Sequence, residues 1–193
     1  MSHIKALQEK GKKDPNSEFY YYPFFQKWLW NRIKGTGRDH KILTTLQFTT
    51  DCTREFDIIA GYKHKNTLKY TLFAIEVKMV DFMSCFHQAR NRSYFCDYSY
   101  MAFPYKNGGE LGYVLGEFAK HYSWMKKFGL GFLIYDTGRK KVLPILEGTK
   151  SKMVWEKYRL KLIDLIWYNN QALESEKKIQ LTDFIENLER DKK

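Results

Sequence analysis

Two short apolar stretches decide how this chain folds: Glu55-Phe56-Asp57-Ile58-Ile59-Ala60 and, one strand later, Phe73-Ala74-Ile75-Glu76-Val77-Lys78. Both are rich in the β-branched and aromatic residues of strands, and residues i and i+2 of a strand share a face. Glu76 and Lys78 therefore project to the same side, while their apolar neighbours enter a core. A buried strand rarely carries two charges on one face unless they are paired or bind a ligand. Carboxylates beside a lysine suit metal-assisted hydrolysis of phosphodiesters, because carboxylates bind hard divalent ions and an ammonium opposes negative charge.

The length and composition indicate one domain with a core of its own. The chain has 193 residues, of which 44% are hydrophobic and 17% aromatic, and this excludes global disorder. No apolar run reaches the roughly 18 residues of a membrane span, and the N-terminus lacks the apolar segment of a signal peptide. We therefore expect a cytoplasmic protein without membrane contact.

The chain is strongly basic, with a formal net charge of +11 and a pI near 9.4. Such a surface favours polyanionic partners through counterion release, although a basic pI can also serve solubility alone. Between Lys150 and Lys193, ten Lys and Arg residues stand against eight Asp and Glu residues. Most of the basic excess therefore belongs to residues 1–149.

The cysteines and histidines give no sign of transition-metal chemistry. The three cysteines are odd in number and form no C-x-x-C pair, which argues against a zinc ribbon, an iron–sulfur cluster and a disulfide framework. The five histidines show no H-x-H or H-E-x-x-H spacing. Any metal in this protein is expected to be bound by oxygen ligands.

The pattern along the chain predicts the element order α-β-β-β-α-β-α-β, followed by C-terminal helices. The predicted helices are Tyr22–Lys34, Ser84–Phe95 and a segment that begins near Leu111 and ends near Gly129. The predicted strands are Ile42–Phe48, Glu55–Tyr62, Lys69–Met79, Tyr98–Phe103 and Gly131–Asp136, the fourth stopped by Pro104. The C-terminal helices are predicted over Met153–Tyr168 and Ile179–Leu188.

The two apolar stretches resemble the motif of the PD-(D/E)XK nuclease superfamily, in which an Asp on one strand and an E-x-K on the next form the active site. Here Asp57 and Glu76-Val77-Lys78 would take those places, 76 − 57 = 19 positions apart. The E-x-K pattern recurs in polar surroundings at Asp39–Lys41, Glu176–Lys178 and Asp191–Lys193, where no apolar strand precedes it. The Gln88-Ala89 pair on the next predicted helix is a second similarity, and Phe56 departs from the motif by replacing its proline.

This resemblance implies an α/β fold with a restriction-endonuclease-like core (α-β-β-β-α-β), in which helices flank a mixed sheet, and a C-terminal helical extension. It implies three segments: a basic N-terminal arm over residues 1–16, a nuclease-like domain over 17–149, and C-terminal helices over 150–193. The last segment would pack on the domain or on a dimer partner.

The resemblance also implies roles for individual residues. The implied ligands of Mg²⁺, for which Mn²⁺ can substitute, are Asp57, Glu76, the Val77 carbonyl and Glu18. Lys78 would position the attacking water, and Glu55, which shares a strand face with Asp57, is an alternative ligand. The competing interpretation is that Glu76 and Lys78 form only an ion pair and that Asp57 is a surface acid.

Four further residues are candidates for the site or for nucleic-acid binding. Gln88 would orient a ligand or a water, or else be an exposed helix residue. Arg92 lies four residues on, hence on the same helix face, and would contact the phosphate or pair with Asp97. Lys12 and Lys13 in the N-terminal arm are expected to touch the phosphate backbone.

Together these features predict a magnesium-dependent endonuclease that hydrolyses DNA phosphodiesters and selects DNA structure rather than sequence. RNA stays open as a substrate. A homodimer is expected, because cutting both strands of a duplex needs two sites. The alternative functions are a nucleic-acid-binding protein without catalysis on the same fold, and a basic surface for a protein or small-molecule partner.

Overall fold

The computed structural model describes residues 11–34, 42–49, 55–63, 70–160 and 162–163, which form a six-stranded sheet with helices on both faces. The elements are, in chain order, α1 (Glu18–Lys34), β1 (Ile42–Thr49), β2 (Glu55–Lys63), β3 (Tyr70–Val77), α2 (Phe82–Arg92), β4 (Tyr98–Tyr105), α3 (Gly108–Phe128), β5 (Gly131–Asp136) and β6 (Lys141–Leu146). A further helical stretch begins at residue 156.

The strands lie in the sheet in the same order as in the chain, from β1 to β6. The first three form an antiparallel meander, β3, β4 and β5 run parallel, and β6 returns antiparallel to β5. Parallel neighbours need a crossover, and α2 and α3 supply the two crossovers. The sheet is therefore mixed, and the predicted α/β class is confirmed.

Helix α1 covers one face of the sheet with large side chains spaced four residues apart. Tyr21, Phe25, Leu29 and Ile33 are each at most 1% exposed and pack with strand residues such as Ile75 and Val77. Burying each of these side chains contributes about 1.5–3 kcal/mol. This stripe fixes the rotation of α1 about its axis, and so fixes which residues of its first turns reach the edge of the sheet.

Helices α2 and α3 cover the opposite face, where their apolar residues pack with β4 and β5. Each begins at a side chain that caps its first turn: Asp81 accepts from the Ser84 N–H (2.9 Å) and Asn107 from the Glu110 N–H (2.9 Å). Helix α3 ends at Gly129, which has a left-handed φ of 68°. The predicted end of this helix near Gly129 is confirmed.

The bounds of two helices differ from those predicted. Helix α1 begins at Glu18 rather than Tyr22, so that Pro23 lies inside the helix and Glu18 lies in its first turn. Helix α2 covers Phe82–Arg92 rather than Ser84–Phe95. The apolar spacing of α2 already starts at its first residue, Phe82, and the Asp81 cap sets that end of the helix.

The prediction that Pro104 stops the fourth strand, and that β5 is the last strand, is wrong. Strand β4 continues to Tyr105, and β6 follows β5 at the edge of the sheet. The pairing of β3 with β4 ends at Val77↔Ala102. Pro104 therefore presents its nitrogen to a side that β3 no longer covers, and its missing N–H leaves no bond unmade.

The segment after β6 is bound to the rest of the domain through Asp97, which is fully buried. Its carboxylate accepts from the Leu72 N–H (2.9 Å) and from Arg159 Nη1 (3.2 Å), and its carbonyl accepts from the Ser151 N–H (2.7 Å). The predicted helix over Met153–Tyr168 begins at residue 156. Residues 161 and 164–168 of this prediction, and the whole predicted helix Ile179–Leu188, lie outside the described residues. In the part of the chain that is described, no helix has the length and apolar character needed to cross a bilayer.

Candidate active site

Asp57 lies where strands β2 and β3 separate. Their pairing ends at Ile58↔Ile75, and beyond that pair the Asp57 carboxylate takes the place of a backbone partner. Its Oδ2 accepts from the Val77 N–H (2.8 Å) and its Oδ1 accepts from the Tyr22 hydroxyl (2.8 Å). Asp57 is 7% exposed. The alternative that it is a surface acid is therefore wrong.

Glu76 is the most deeply buried charged group of the site, at 2% exposure. Its Oε2 lies 3.4 Å from Arg92 Nη2 and its Oε1 lies 3.5 Å from Lys78 Nζ. The Cys85 thiol donates to its backbone carbonyl (3.4 Å). Helix α2 thus contributes both contacts: Arg92 binds the Glu76 carboxylate, and the Cys85 thiol binds the Glu76 backbone carbonyl.

Lys78 connects β3 with the first turn of α1. Its Nζ donates to Glu18 Oε2 at 3.2 Å, besides its contact with Glu76, and its backbone N–H donates to the Ala102 carbonyl (3.1 Å). The Glu18 side chain keeps 30% of its surface exposed and that of Lys78 keeps 18%. The charged cluster is thus buried at Glu76 and open to solvent at Glu18.

The charges of this cluster do not cancel. Three carboxylates (Asp57, Glu76 and Glu18) meet two cations (Lys78 and Arg92), which leaves 2 − 3 = −1 when all are ionised. Burial and then repulsion from Asp57 raise the pKa of Glu76 from 4.5 to about 8, against the attraction of both cations. One proton on Glu76 would neutralise the cluster, and so would a bound cation that takes up the excess charge.

The pKa values of Glu18, Lys78 and Tyr22 are all raised. Burial raises the pKa of Glu18, although Lys78 opposes this. Burial by itself would lower the pKa of Lys78, but the carboxylates of Asp57, Glu18 and Glu76 outweigh it and raise that pKa. Burial and the neighbouring Asp57 raise the pKa of Tyr22 far above the physiological pH range. Lys78 is therefore an ammonium and Tyr22 a neutral phenol at any physiological pH.

Gln88 occupies the face of α2 that looks toward Glu76. It lies three residues after Cys85 and four before Arg92, and both of these contact Glu76. Its side-chain Oε1 is buried and accepts no hydrogen bond from the residues that the structure describes. A buried acceptor of this kind usually has a water or ligand as its partner.

The remaining candidates are placed as follows. Arg92 contacts the Glu76 carboxylate, and Arg159 contacts the carboxylate of Asp97. Lys12 and Lys13 are exposed in the turn before α1. The side chain of Glu55 lies outside the described residues.

Tyr22 is a member of the site that the sequence-based prediction missed. Its hydroxyl is the donor that fixes Asp57 Oδ1. The signal was present in the sequence, because Tyr22 stands four residues after Glu18 and therefore on the same face of a helix. A helix start placed at Tyr22 concealed that relation.

The donor set fits a hard divalent cation such as Mg²⁺. Within the described ranges, no group of three or more His, Cys, Asp and Glu side chains is arranged to hold a metal ion. Magnesium, however, keeps several waters and needs only one or two protein carboxylates. Asp57 and Glu76 can supply these, and the Val77 carbonyl belongs to the strand edge that faces Asp57, because the N–H and C=O of a strand residue point to the same side.

A comparison of the chain with protein-family models and with curated proteins finds no match. The chemistry of the site is therefore inferred from its own residues.

Proposed function

We propose that this protein is a magnesium-dependent endonuclease that hydrolyses DNA phosphodiester bonds on a PD-(D/E)XK, restriction-endonuclease-like core. The observation that supports it best is that Asp57, Glu76 and Lys78 lie together where β2 and β3 separate. Asp57 precedes Glu76 by 76 − 57 = 19 positions in the sequence. The element order from α1 to β4 is α-β-β-β-α-β, which is the order that the resemblance implies.

The charge of the cluster favours a metal and a phosphodiester together. The ionised site carries −1, a divalent cation adds +2 and a phosphodiester adds −1, which gives −1 + 2 − 1 = 0. Taking an unbalanced charge into a buried site is costly, so this combination is favoured over a metal or a phosphate alone. The net charge of +11 of the whole chain favours approach of the polyanion.

Each residue of the site has a distinct task in the proposed mechanism. A bound Mg²⁺ supplies Lewis-acid stabilisation of the attacked phosphate and lowers the pKa of water. Asp57 and Glu76 hold the ion, and the Val77 N–H, Tyr22 and Arg92 keep those two carboxylates in place. Gln88 Oε1 offers an acceptor for a water proton.

Lys78 acts as a donor and not as a general base. Its raised pKa keeps a proton on Nζ at physiological pH. The ammonium is held between Glu18 and Glu76 and can swing to the phosphate or the attacking water without leaving the cluster. Its proposed contribution is to orient the water and to oppose the charge that develops on the phosphate.

The test is cleavage of labelled single-stranded, duplex, flap and four-way-junction DNA, with a single-stranded RNA beside them, in Mg²⁺, Mn²⁺ or EDTA. Glu76→Gln and Lys78→Met should each lower the rate by at least about a hundredfold, because each removes a charge that acts on the transition state. Glu156→Gln, at a side chain that is 72% exposed, is the matched control and should cut like the wild type. Cutting that survives EDTA, or that neither site variant weakens, would contradict the proposal.

The alternative is a nucleic-acid-binding protein without catalysis on the same fold. One observation favours it: both oxygens of Glu76 already face a cation, Lys78 at Oε1 and Arg92 at Oε2. In that case DNA binding would weaken as salt rises but no substrate would be cut with either metal. The homodimer that duplex cleavage calls for is part of the same proposal, and light scattering at the concentration of the cleavage assay measures it.

A further inference from the structure

A cleft of about 280 Å³ lies between helix α1 and the ends of strands β4 and β5, and the proposed mechanism does not use it. It is lined by Pro15, Tyr20, Tyr21, Phe24, Lys106, Tyr135, Thr137 and Lys140. Its volume is at the small end of ligand pockets, which suits one nucleotide-sized group rather than a duplex. The lining is aromatic on one side and carries two ammonium groups on the other.

The aromatic side is built by α1 and β5. Phe24 stacks on Tyr135 with ring centroids 4.5 Å apart, and Tyr20 lies 5.8 Å from Phe24. Tyr135 is buried, whereas Tyr20 and Phe24 are half-buried and keep ring surface open to the cleft. Half-exposed rings on a rigid helix are the platforms on which nucleobases stack.

The cationic side is formed by two exposed lysines that follow parallel strands. Lys106 comes directly after β4 and donates to the Asn16 side chain. Lys140 lies in the turn between β5 and β6 and holds a left-handed φ of 50°, which is uncommon for a residue other than glycine. Both ammonium groups can meet a phosphate that lies at the mouth of the cleft.

The cleft and the active site share one edge of the sheet. Glu76 and Lys78 stand at the carboxyl end of β3, and β3, β4 and β5 are consecutive parallel strands. Ligands of parallel sheets bind at this edge. Strands β3 and β5 are two strand spacings apart, about 10 Å. At about 3.4 Å per stacked nucleotide, this distance spans about three nucleotides of one DNA strand.

We propose that the cleft binds one unpaired nucleotide of the DNA strand whose phosphodiester lies at Glu76 and Lys78, with the base on Tyr20 and Phe24 and a phosphate on Lys106 and Lys140. This inference rests on the proposed function and gives it a substrate class: single strands, flaps and other DNA with unpaired bases. A blunt duplex cannot place a base in the cleft without breaking a pair, which costs a few kcal/mol.

The test measures equilibrium binding in EDTA, where no cutting occurs. The readout is the fluorescence anisotropy of a labelled single-stranded DNA and of its blunt duplex. Tyr20→Leu should weaken single-strand binding about tenfold, because loss of one stacked base weakens binding by about 5- to 150-fold. It should leave duplex binding within about twofold of the wild type. Lys106→Ala/Lys140→Gly changes exposed side chains only, and glycine suits the left-handed backbone at position 140. It should reduce the slope of the logarithm of the single-strand binding constant against the logarithm of salt concentration by about 0.7, because one phosphate loses its cationic partners.

Lys126→Ala/Lys127→Ala is the matched control, because it removes the same charge near the end of α3, at the opposite edge of the sheet. This control should leave the salt slope of the wild type unchanged. If both cleft variants bind the single strand like this control while the wild type still cuts in a Glu76-dependent manner, the cleft proposal is overturned and the nuclease proposal stands. If the wild type binds neither DNA at low salt and cuts no substrate in Mg²⁺ or Mn²⁺, both proposals fall together.

Discussion

The pH dependence of folding gives the most direct test of how Glu76 is held. Glu76 is 2% exposed, and its pKa is raised from 4.5 to about 8, chiefly by burial and then by Asp57. Glu76→Gln keeps the shape of the side chain and resembles its protonated form, but it cannot ionise. We expect the wild type to lose stability relative to this variant as the pH rises.

The size of the effect follows from proton linkage. Between pH 4.5 and about 8, the folded protein holds a proton on Glu76 that the unfolded chain has released. Unfolding then releases a proton, so the free energy of unfolding falls by about 1.4 kcal/mol for each pH unit across this window. Because the neighbouring ions reorganise as Glu76 titrates, we expect a total loss of about 3 to 5 kcal/mol relative to Glu76→Gln.

The assay is urea denaturation in EDTA at a series of pH values from 4 to 9, with the wild type, Glu76→Gln and the exposed-site control Glu156→Gln. The quantity to compare is the difference in free energy of unfolding between each variant and the wild type. This difference should grow with pH for Glu76→Gln and stay within about 0.5 kcal/mol for the control. A constant difference for Glu76→Gln would refute the reasoning, since Glu76 would then ionise normally between Arg92 and Lys78.

Magnesium should reverse the same trend, because it binds the ionised form of Glu76. In the wild type at pH 8, added Mg²⁺ should raise the free energy of unfolding by RT ln(1 + [Mg²⁺]/Kd), while Glu76→Gln should respond much less. This readout needs no substrate and no activity. An equal response of both proteins would show that the ion binds elsewhere.

Three further predictions concern the stability of the fold and the burial of its cysteines. Asp57→Asn should lower the free energy of unfolding in urea by about 1–3 kcal/mol. Both carboxylate oxygens accept hydrogen bonds, and an amide must turn its NH2 group toward one of the two donors. An unchanged free energy of unfolding would contradict those contacts. Gly129→Ala should lower the free energy of unfolding by about 1 kcal/mol or more, because φ is 68° and a Cβ there would lie 2.7 Å from the Thr149 hydroxyl oxygen. Gly116→Ala, whose Cβ would meet open space, should instead raise the free energy of unfolding by about 0.5–1 kcal/mol. Burial raises the pKa of the Cys85 and Cys96 thiols. At pH 8, iodoacetamide should therefore label neither thiol in the folded protein and both in urea, as measured by peptide mass spectrometry. Labelling of either thiol in the folded protein would mean that its environment opens.

Local patterns were enough to predict most of the fold. Alternation along Glu55–Ala60 and Phe73–Lys78 predicts two buried strands, and the structure has them as neighbours that pair antiparallel up to Ile58↔Ile75. Capping chemistry at Asp81 and the glycine at position 129 set helix ends. Such signals are readable because they depend on neighbours that are close in the sequence.

The errors arose where distant parts of the chain decide the outcome. Pro104 is a sound stop signal within its own segment, but the strand tolerates it because β3 has already ended on that side. Strand β6 is exposed at three of its six positions and contains Pro144, so its sequence resembles a loop. It forms because β5 offers a free edge. A local pattern does not contain the position of the neighbouring strand.

The sequence by itself determined which residues could carry the chemistry, because charges within an apolar strand are visible as residue types and spacing. Only the tertiary structure decided their partners: that Arg92 holds Glu76, that Tyr22 and the Val77 N–H hold Asp57, and that Glu18 reaches Lys78 across 60 positions. It also decided how deeply Glu76 is buried, and hence that its pKa is raised. The physical reason is that burial and electrostatic coupling depend on distances in space between elements, which the order of residues alone does not fix.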